Sequence, residues 1–196
     1  MEEKITKNFL IYFCNSLREI CGENVAKIIL RKAGMEEYLD INEEYGFEVL
    51  IPLEDFIRVR DSAREILGRS TNGVMYQAGL NVSTRVKIGK VGRMIISFAS
   101  KFSNPLDLIE KGAKFSTKYH PSTIEFKRLG NTLYIIIKNC YECKGLRTNE
   151  PSCYMIKGFV EGIVKRLLNK EITMNEIECS AMGAPHCKFK ISVKNS

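Results

Sequence analysis

The sequence predicts an α+β fold in which N-terminal helices precede a β-β-α-β-β antiparallel sheet unit. Three observations predict it. Apolar residues recur at helical spacing up to about residue 120. At Pro121 the pattern changes to alternation, the period of a strand. Turn signals then split the remainder into strand pairs with a helix between them. The 196 residues read as a single domain, mainly helical over 1–120 and sheet-bearing over 121–196.

In the helical portion, Ile5, Phe9, Phe13 and Leu17 form one stripe of a helix that stops near Gly22. Val25, Ile28 and Ile29 mark a second helix ending at Gly34. Residues 35–52, with Gly46 and Pro52, read as a connection. Phe56, Val59, Ala63 and Ile66 give another amphipathic helix, closed by Gly68. A helix over 71–87 is expected to be broken by Gly73 and Gly79. Val91, Met94, Ile95, Phe98 and Phe102 restore the helical period. Asn104-Pro105 then supplies a cap and a proline for the first helical position, with helix to about Tyr119.

In the sheet portion, Ile124 and Phe126 alternate with Thr123, Glu125 and Lys127, as in a half-buried strand. Gly130-Asn131 is a turn signal. The next strand, Leu133–Ile137, is apolar at every position, so both of its faces are expected to be covered. A helix from Ser152, its expected cap, to Asn169 carries the stripe Ile156, Phe159, Ile163 and Leu167. Gly158 and Gly162, one turn apart, allow a close neighbouring backbone. Strands over 171–178 and 186–193 complete the unit.

Composition narrows the function. Hydrophobic residues make up 44%, enough for a core. No run approaches the roughly 18 apolar residues of a membrane span. The charged start Met-Glu-Glu-Lys is unlike a signal peptide, so a cytoplasmic protein is expected. The net charge is +7, but the basic residues are interleaved with 23 acidic ones, as on a solvated surface. The densest basic run, Arg85, Lys87, Lys90 and Arg93, lacks aromatics for base stacking, and nucleic acid is not expected. On the first helix, Leu10 and Tyr12 widen the apolar stripe beyond one flank of a small domain, which predicts a homodimer.

Seven cysteines, an odd number in a chain of this size, argue against a disulfide framework. Cys14 and Cys21 read as small buried hydrophobes on the first helix. Cys140, Cys143, Cys153, Cys179 and Cys187 all lie in the last third. Cys153 would sit at a helix start, where the dipole favours a thiolate, and Cys179 and Cys187 flank a hairpin turn. With Glu176 these supply four donors, the number zinc takes. Glu176 and Cys179 have opposite strand parity, so a bulge near Ile177 is required for both to reach one ion. Spacing alone leaves a metal site and buried inert cysteines equally open. Cys140-x2-Cys143 is a half-site by spacing but reads as thiols beside the metal. His186 could replace Glu176 but reads as a turn residue, and His120 as a helix-end residue.

The run Cys153-Tyr-Met-Ile-Lys-Gly158-Phe-Val-Glu-Gly162, followed by Glu176-Ile-Glu-Cys179-Ser-Ala-Met-Gly183-Ala-Pro-His-Cys187-Lys-Phe189, resembles the vinyl-4-reductase domain family. The resemblance covers roughly residues 131–193. It implies the small-molecule-binding fold of phenol-sensing bacterial activators and of a bacteriochlorophyll-biosynthesis accessory protein, shared with TRAPP tethering subunits. It also implies a zinc site with Cys153, Glu176, Cys179 and Cys187 as ligands.

No dinucleotide fingerprint or phosphate loop is present. A zinc with three thiolates and a carboxylate has no open position for water, so catalysis is not expected. The resemblance implies a regulatory module for a hydrophobic or aromatic small molecule, with Phe98, Phe102, Phe126 and Tyr134 as candidate pocket residues. A signal would leave through a regulatory protein partner or a dimer rearrangement. The alternatives are a carrier or accessory protein for a tetrapyrrole or hydrophobic intermediate, and a ligand-free dimeric scaffold.

Overall fold

The computed structural model describes residues 3–39, 41, 44–46, 48–90, 94, 96, 98, 99, 103–116 and 121–193. The helical portion begins with a short strand, β1 (Lys4–Thr6), before α1 (Lys7–Cys21) and α2 (Glu23–Ala33). β1 pairs antiparallel with β2 (Leu50–Pro52), which leads into α3 (Leu53–Leu67). The sequence reading missed this small sheet. Ile5, counted there as part of the first helical stripe, is a buried strand residue opposite Ile51. Three residues per strand are too few for alternation to show.

α4 (Thr71–Arg85) runs unbroken through Gly73 and Gly79. α5 (Pro105–Ser116) begins as expected, with the Asn104 side-chain oxygen accepting the Leu106 N–H at 2.9 Å. The helix expected through Val91, Ile95 and Phe102 falls largely outside the described residues.

β3 (Thr123–Leu129), β4 (Thr132–Lys138), α6 (Tyr154–Leu168), β5 (Ile172–Glu178) and β6 (Cys187–Val193) form the β-β-α-β-β unit. The sheet is antiparallel in the order β3-β4-β6-β5. Register places Leu133, Ile135 and Ile137 opposite Ile191, Phe189 and Cys187, and all six are buried. The opposite face is not covered as expected. Tyr134 and Ile136 stay half-buried opposite Lys190 and Lys188, and the Lys188 ammonium lies 5.7 Å from the Tyr134 ring. Long lysine stems shield the apolar side chains there while their charges stay in water.

α6 packs on the sheet through β5, and α4 packs on both α6 and α1. Three small residues let α4 and α6 approach. A Cβ on Gly158 would lie 2.0 Å from the Tyr76 carbonyl oxygen, and one on Gly79 would lie 2.2 Å from that of Met155. Gly79 is therefore a packing contact, not a break. Gly162 meets Ser83 in the same way.

One hydrophobic cluster joins the two portions. Leu10 is fully buried and Tyr12 is half-buried in it. The apolar surplus of α1 that predicted a homodimer is thus used inside the chain.

Candidate metal centre

The site is built where the loop after β4, the start of α6 and the β5–β6 hairpin meet. One donor atom each from Cys143, Cys153, Glu176, Cys179 and Cys187 lies within 4.8 Å of all the others. Cys153 is the N-cap of α6. Cys179 opens the 3-10 turn Ser180–Met182 that joins β5 to β6, and Cys187 begins β6. The bulge that parity demands is present. β5 changes register against β6 between Glu176 and Glu178, and Ile177 between them is 49% exposed. Glu176 and Cys179 can therefore both turn toward the buried face.

The loop carrying Cys140 and Cys143 is held from three sides. Cys143 N–H closes a turn onto the Cys140 carbonyl at 3.1 Å. The Arg60 guanidinium, fully buried in α3, donates to the carbonyls of Tyr141, Glu142 and Lys144 at 3.2, 3.0 and 2.8 Å. The Tyr141 ring packs against Phe9 and Phe56, with centroids 5.8 and 5.4 Å away.

The Glu142 carboxylate accepts the N–H groups of Met155 and Ile156 at 2.8 and 3.0 Å. It does for α6 what Ser152 was expected to do, satisfying N–H groups that no helical carbonyl can reach. Ser152 makes no cap; its hydroxyl lies 3.5 Å from the Cys143 sulfur.

Cys143 and Cys153 each lie close to three other sulfurs, Cys153 being also 3.5 Å from Cys140. The Cys143 Sγ lies 3.1 Å from Cys153, 3.5 Å from Cys187 and 3.6 Å from Cys179, and Cys153 lies 3.5 Å from Cys187. Zinc held by thiolates at about 2.3 Å in a tetrahedron sets sulfurs about 3.8 Å apart; the sulfurs here are gathered somewhat closer than that, so they would move slightly apart to admit such an ion. The Ser180 N–H points at the Cys187 sulfur, 3.3 Å away. Glu176 Oε2 accepts the Cys153 N–H at 3.1 Å, while Oε1 is buried with no hydrogen-bond partner. A buried carboxylate oxygen without a donor is costly, and a cation would remove that cost.

Burial pushes the carboxyls of Glu142 and Glu176 each up to about 8. Cys143 sits well below the ordinary thiol range, chiefly because Cys140 donates to it, with Cys153 and Cys187 adding to the effect. Cys179 is lowered to about 5, mainly by the Cys153 thiol. Burial raises Cys14 far above that range, as suits the inert thiol expected there.

Sequence reasoning set Cys140 and Cys143 beside the metal as solvated or partly buried thiols. Both are fully buried, and Cys143 belongs to the donor set. Arg60 and Glu142 were missed. Arg60 stands on the same helical stripe as Phe56 and Ala63, and a charge inside an apolar stripe is the signal that would have found it. His186 is no donor here, since its Nε2 lies 3.0 Å from Glu178. His120 lies outside the described residues.

A cavity of about 180 Å³ adjoins the centre, lined by Pro151, Cys153, Tyr154, Lys157, Glu176 and Phe189 among others. Among the described residues, Phe98, Phe126 and Tyr134 do not gather into the pocket expected from them. Phe126 pairs with Ile135, on the buried face, whereas Tyr134 faces the other way; Phe98 is 67% exposed, and Phe102 is outside the described residues. Of the basic run, Arg85 and Lys87 are ion-paired with Glu19 and Glu44, and Arg93 is outside the described residues. Among the described residues, no helix is long and apolar enough to cross a membrane.

Residues 133–193 match the family model of the vinyl-4-reductase domain. Residues 1–132 lie outside that match. The match runs from β4 to the end of β6 and so takes in every donor of the centre. A relative from Methanocaldococcus jannaschii, described as an uncharacterized protein, is 23% identical over 169 residues, or 85% of this chain. The chain spans 63% of that relative's length.

Two solved structures share the fold. The phenol-responsive sensory domain of the transcription activator PoxR, solved with phenol, has a TM-score of 0.54 at 17% identity, covering 73% of this chain and 75% of that one. An Fe(II) unliganded H-NOX protein from K. algicida has a TM-score of 0.64 at 11% identity, covering 98% of each chain. The vinyl-4-reductase match thus lies within a fold that, in the second comparison, extends through the N-terminal helices as well.

Proposed function

We propose that this protein is a non-catalytic, zinc-containing regulatory module that binds a small hydrophobic or aromatic molecule. The observation that carries the reading is the shared wall of metal centre and cavity, since Cys153 and Glu176 belong to both. A molecule in the cavity would touch residues whose positions the metal fixes. The vinyl-4-reductase match and the likeness in fold to a phenol-responsive sensory domain support the ligand class.

Zinc would be held by Cys153, Cys179, Cys187 and, as the family resemblance implies, Glu176. The metal would clamp the start of α6 to the β5–β6 hairpin. It would supply no catalysis, because four protein ligands leave no place for water and three thiolates blunt its Lewis acidity. The orphaned Glu176 oxygen and the sulfur spacing support this set. A four-iron cluster spreads its thiolates over separate corners, wider than the 4.8 Å limit found here. So many reduced thiols suit a reducing compartment such as the cytoplasm.

The cavity, about 180 Å³ and lined by Lys157, Asn175 and Glu176 as well as Tyr154 and Phe189, is a space for a small molecule that carries a polar group. A tetrapyrrole needs far more room, which ranks the carrier reading second. Native mass spectrometry of the purified protein tests the proposal by weighing metal and co-purified molecules together. One zinc per chain and a retained small-molecule ligand are expected; protein free of metal, or an intact tetrapyrrole, would reject the reading.

A further inference from the structure

A structural zinc takes four ligands, and this centre offers five donors. Cys143 is no bystander among them. Its sulfur lies 3.1–3.6 Å from those of Cys153, Cys187 and Cys179, the partners of a shared tetrahedron. Its loop is fixed by two buried polar side chains, Arg60 gripping the backbone carbonyls and Glu142 docking on α6. Glu176 has an equal claim, because its Oε1 is buried and lacks any donor.

Resting on the zinc reading above, we propose that Cys143 and Glu176 share the fourth coordination position. Cys153, Cys179 and Cys187 hold the metal throughout. In one state the metal would bind Glu176, and the Cys143 sulfur would stand free. In the other, a metal–sulfur bond to Cys143 would replace the metal–oxygen bond and free the Glu176 carboxylate. Each state has three thiolates and one further anionic ligand, so the charge of the centre is unchanged and no electron moves.

The exchange couples outward to the cavity. Glu176 lines it, whereas Cys143 does not. A molecule that hydrogen-bonds to the released carboxyl group therefore favours the four-thiolate state. Occupancy of the cavity would be written into the ligand set of the metal.

The test uses the full chain and its C143A, E176A and C143A/E176A variants. Elemental analysis should find one zinc per chain in each single variant, since either donor covers for the other. The double variant should bind zinc at least about tenfold more weakly. Cobalt(II)-loaded samples keep the proposal testable if the double variant does not fold. Thiolate-to-cobalt charge-transfer intensity should read three thiolates in C143A, four in E176A and an intermediate value in the unaltered protein. Loss of zinc from C143A alone, full zinc in the double variant, or an unaltered spectrum matching either single variant overturns the sharing. Retention of zinc by a C179A/C187A variant, which keeps only three of the five donors, would instead overturn the underlying zinc reading.

Discussion

The buried guanidinium of Arg60 donates to the carbonyl oxygen of Glu142 at 3.0 Å, and the carboxylate of that same Glu142 caps α6. A buried guanidinium and a buried carboxyl group thus hold one loop, and the loop presents Cys143 to the other thiols. Arg60→Met keeps most of the side-chain volume but leaves three carbonyls without their donor. A loss of about 3 kcal/mol is expected, at the low end for breaking a buried charged arrangement. Urea denaturation measures it, and an unchanged midpoint would show the contacts to be dispensable.

Glu142→Ala removes the acceptor for two N–H groups at the start of α6. The expected cost is about 2 kcal/mol, as for a strong helix cap. Glu142→Gln should cost less, because its amide oxygen still serves one of the two donors. Equal destabilisation by both variants would mean that the negative charge, not the acceptor geometry, holds the helix.

The α4–α6 crossing predicts opposite effects for the same substitution. Gly158→Ala places a methyl group 2.0 Å from the Tyr76 carbonyl oxygen, and Gly79→Ala places one 2.2 Å from that of Met155. Backbone cannot yield as a flexible side chain does, so each should destabilise by about 3 kcal/mol. Gly73→Ala, in the same helix with no atom within 4 Å of the new methyl, should stabilise by about 0.5–1 kcal/mol. Thermal melts of the three variants decide between packing and propensity as the role of these glycines.

Cys179→Ser together with Cys187→Ser leaves three of the five donors and should abolish stoichiometric zinc, lowering the melting temperature by about 10 °C or more, since metal binding appears as folding stability. Cys140→Ser should keep full zinc, because Cys140 stands outside the five-donor set. Metal content and melting curves taken on the same samples check both statements. Zinc lost with Cys140 but kept without Cys179 and Cys187 would place the ion elsewhere.

The β-β-α-β-β unit was legible because its periods are long and clean. Ile124 and Phe126 alternate with polar residues before a turn marked by Gly130, Leu133 to Ile137 is a short apolar run, and Ile156 to Leu167 keeps one helical stripe. Even the bulge at Ile177 could be inferred, since two donors of opposite parity cannot reach one ion from a regular strand. Covalent neighbours and local periodicity carry that information. They left a metal site and inert cysteines equally open, and it was the family resemblance that implied Cys153, Glu176, Cys179 and Cys187 as one ligand set.

Other features depended on packing between segments far apart in the chain. Gly79 looked like a helix breaker, and only the approach of α6 makes it a contact. Tyr134 looked like a pocket residue, but strand pairing puts it on the face opposite Phe126. Cys143 looked peripheral because no local period relates it to Cys179 and Cys187. It reaches them because Arg60, more than eighty residues earlier in the sequence, grips the loop that carries it. The sequence by itself determined which segments became strands and helices and which thiols lay at their ends. Tertiary structure decided how many donors converge on one point, because that number depends on where a fold docks its loops, and local sequence has no term for it.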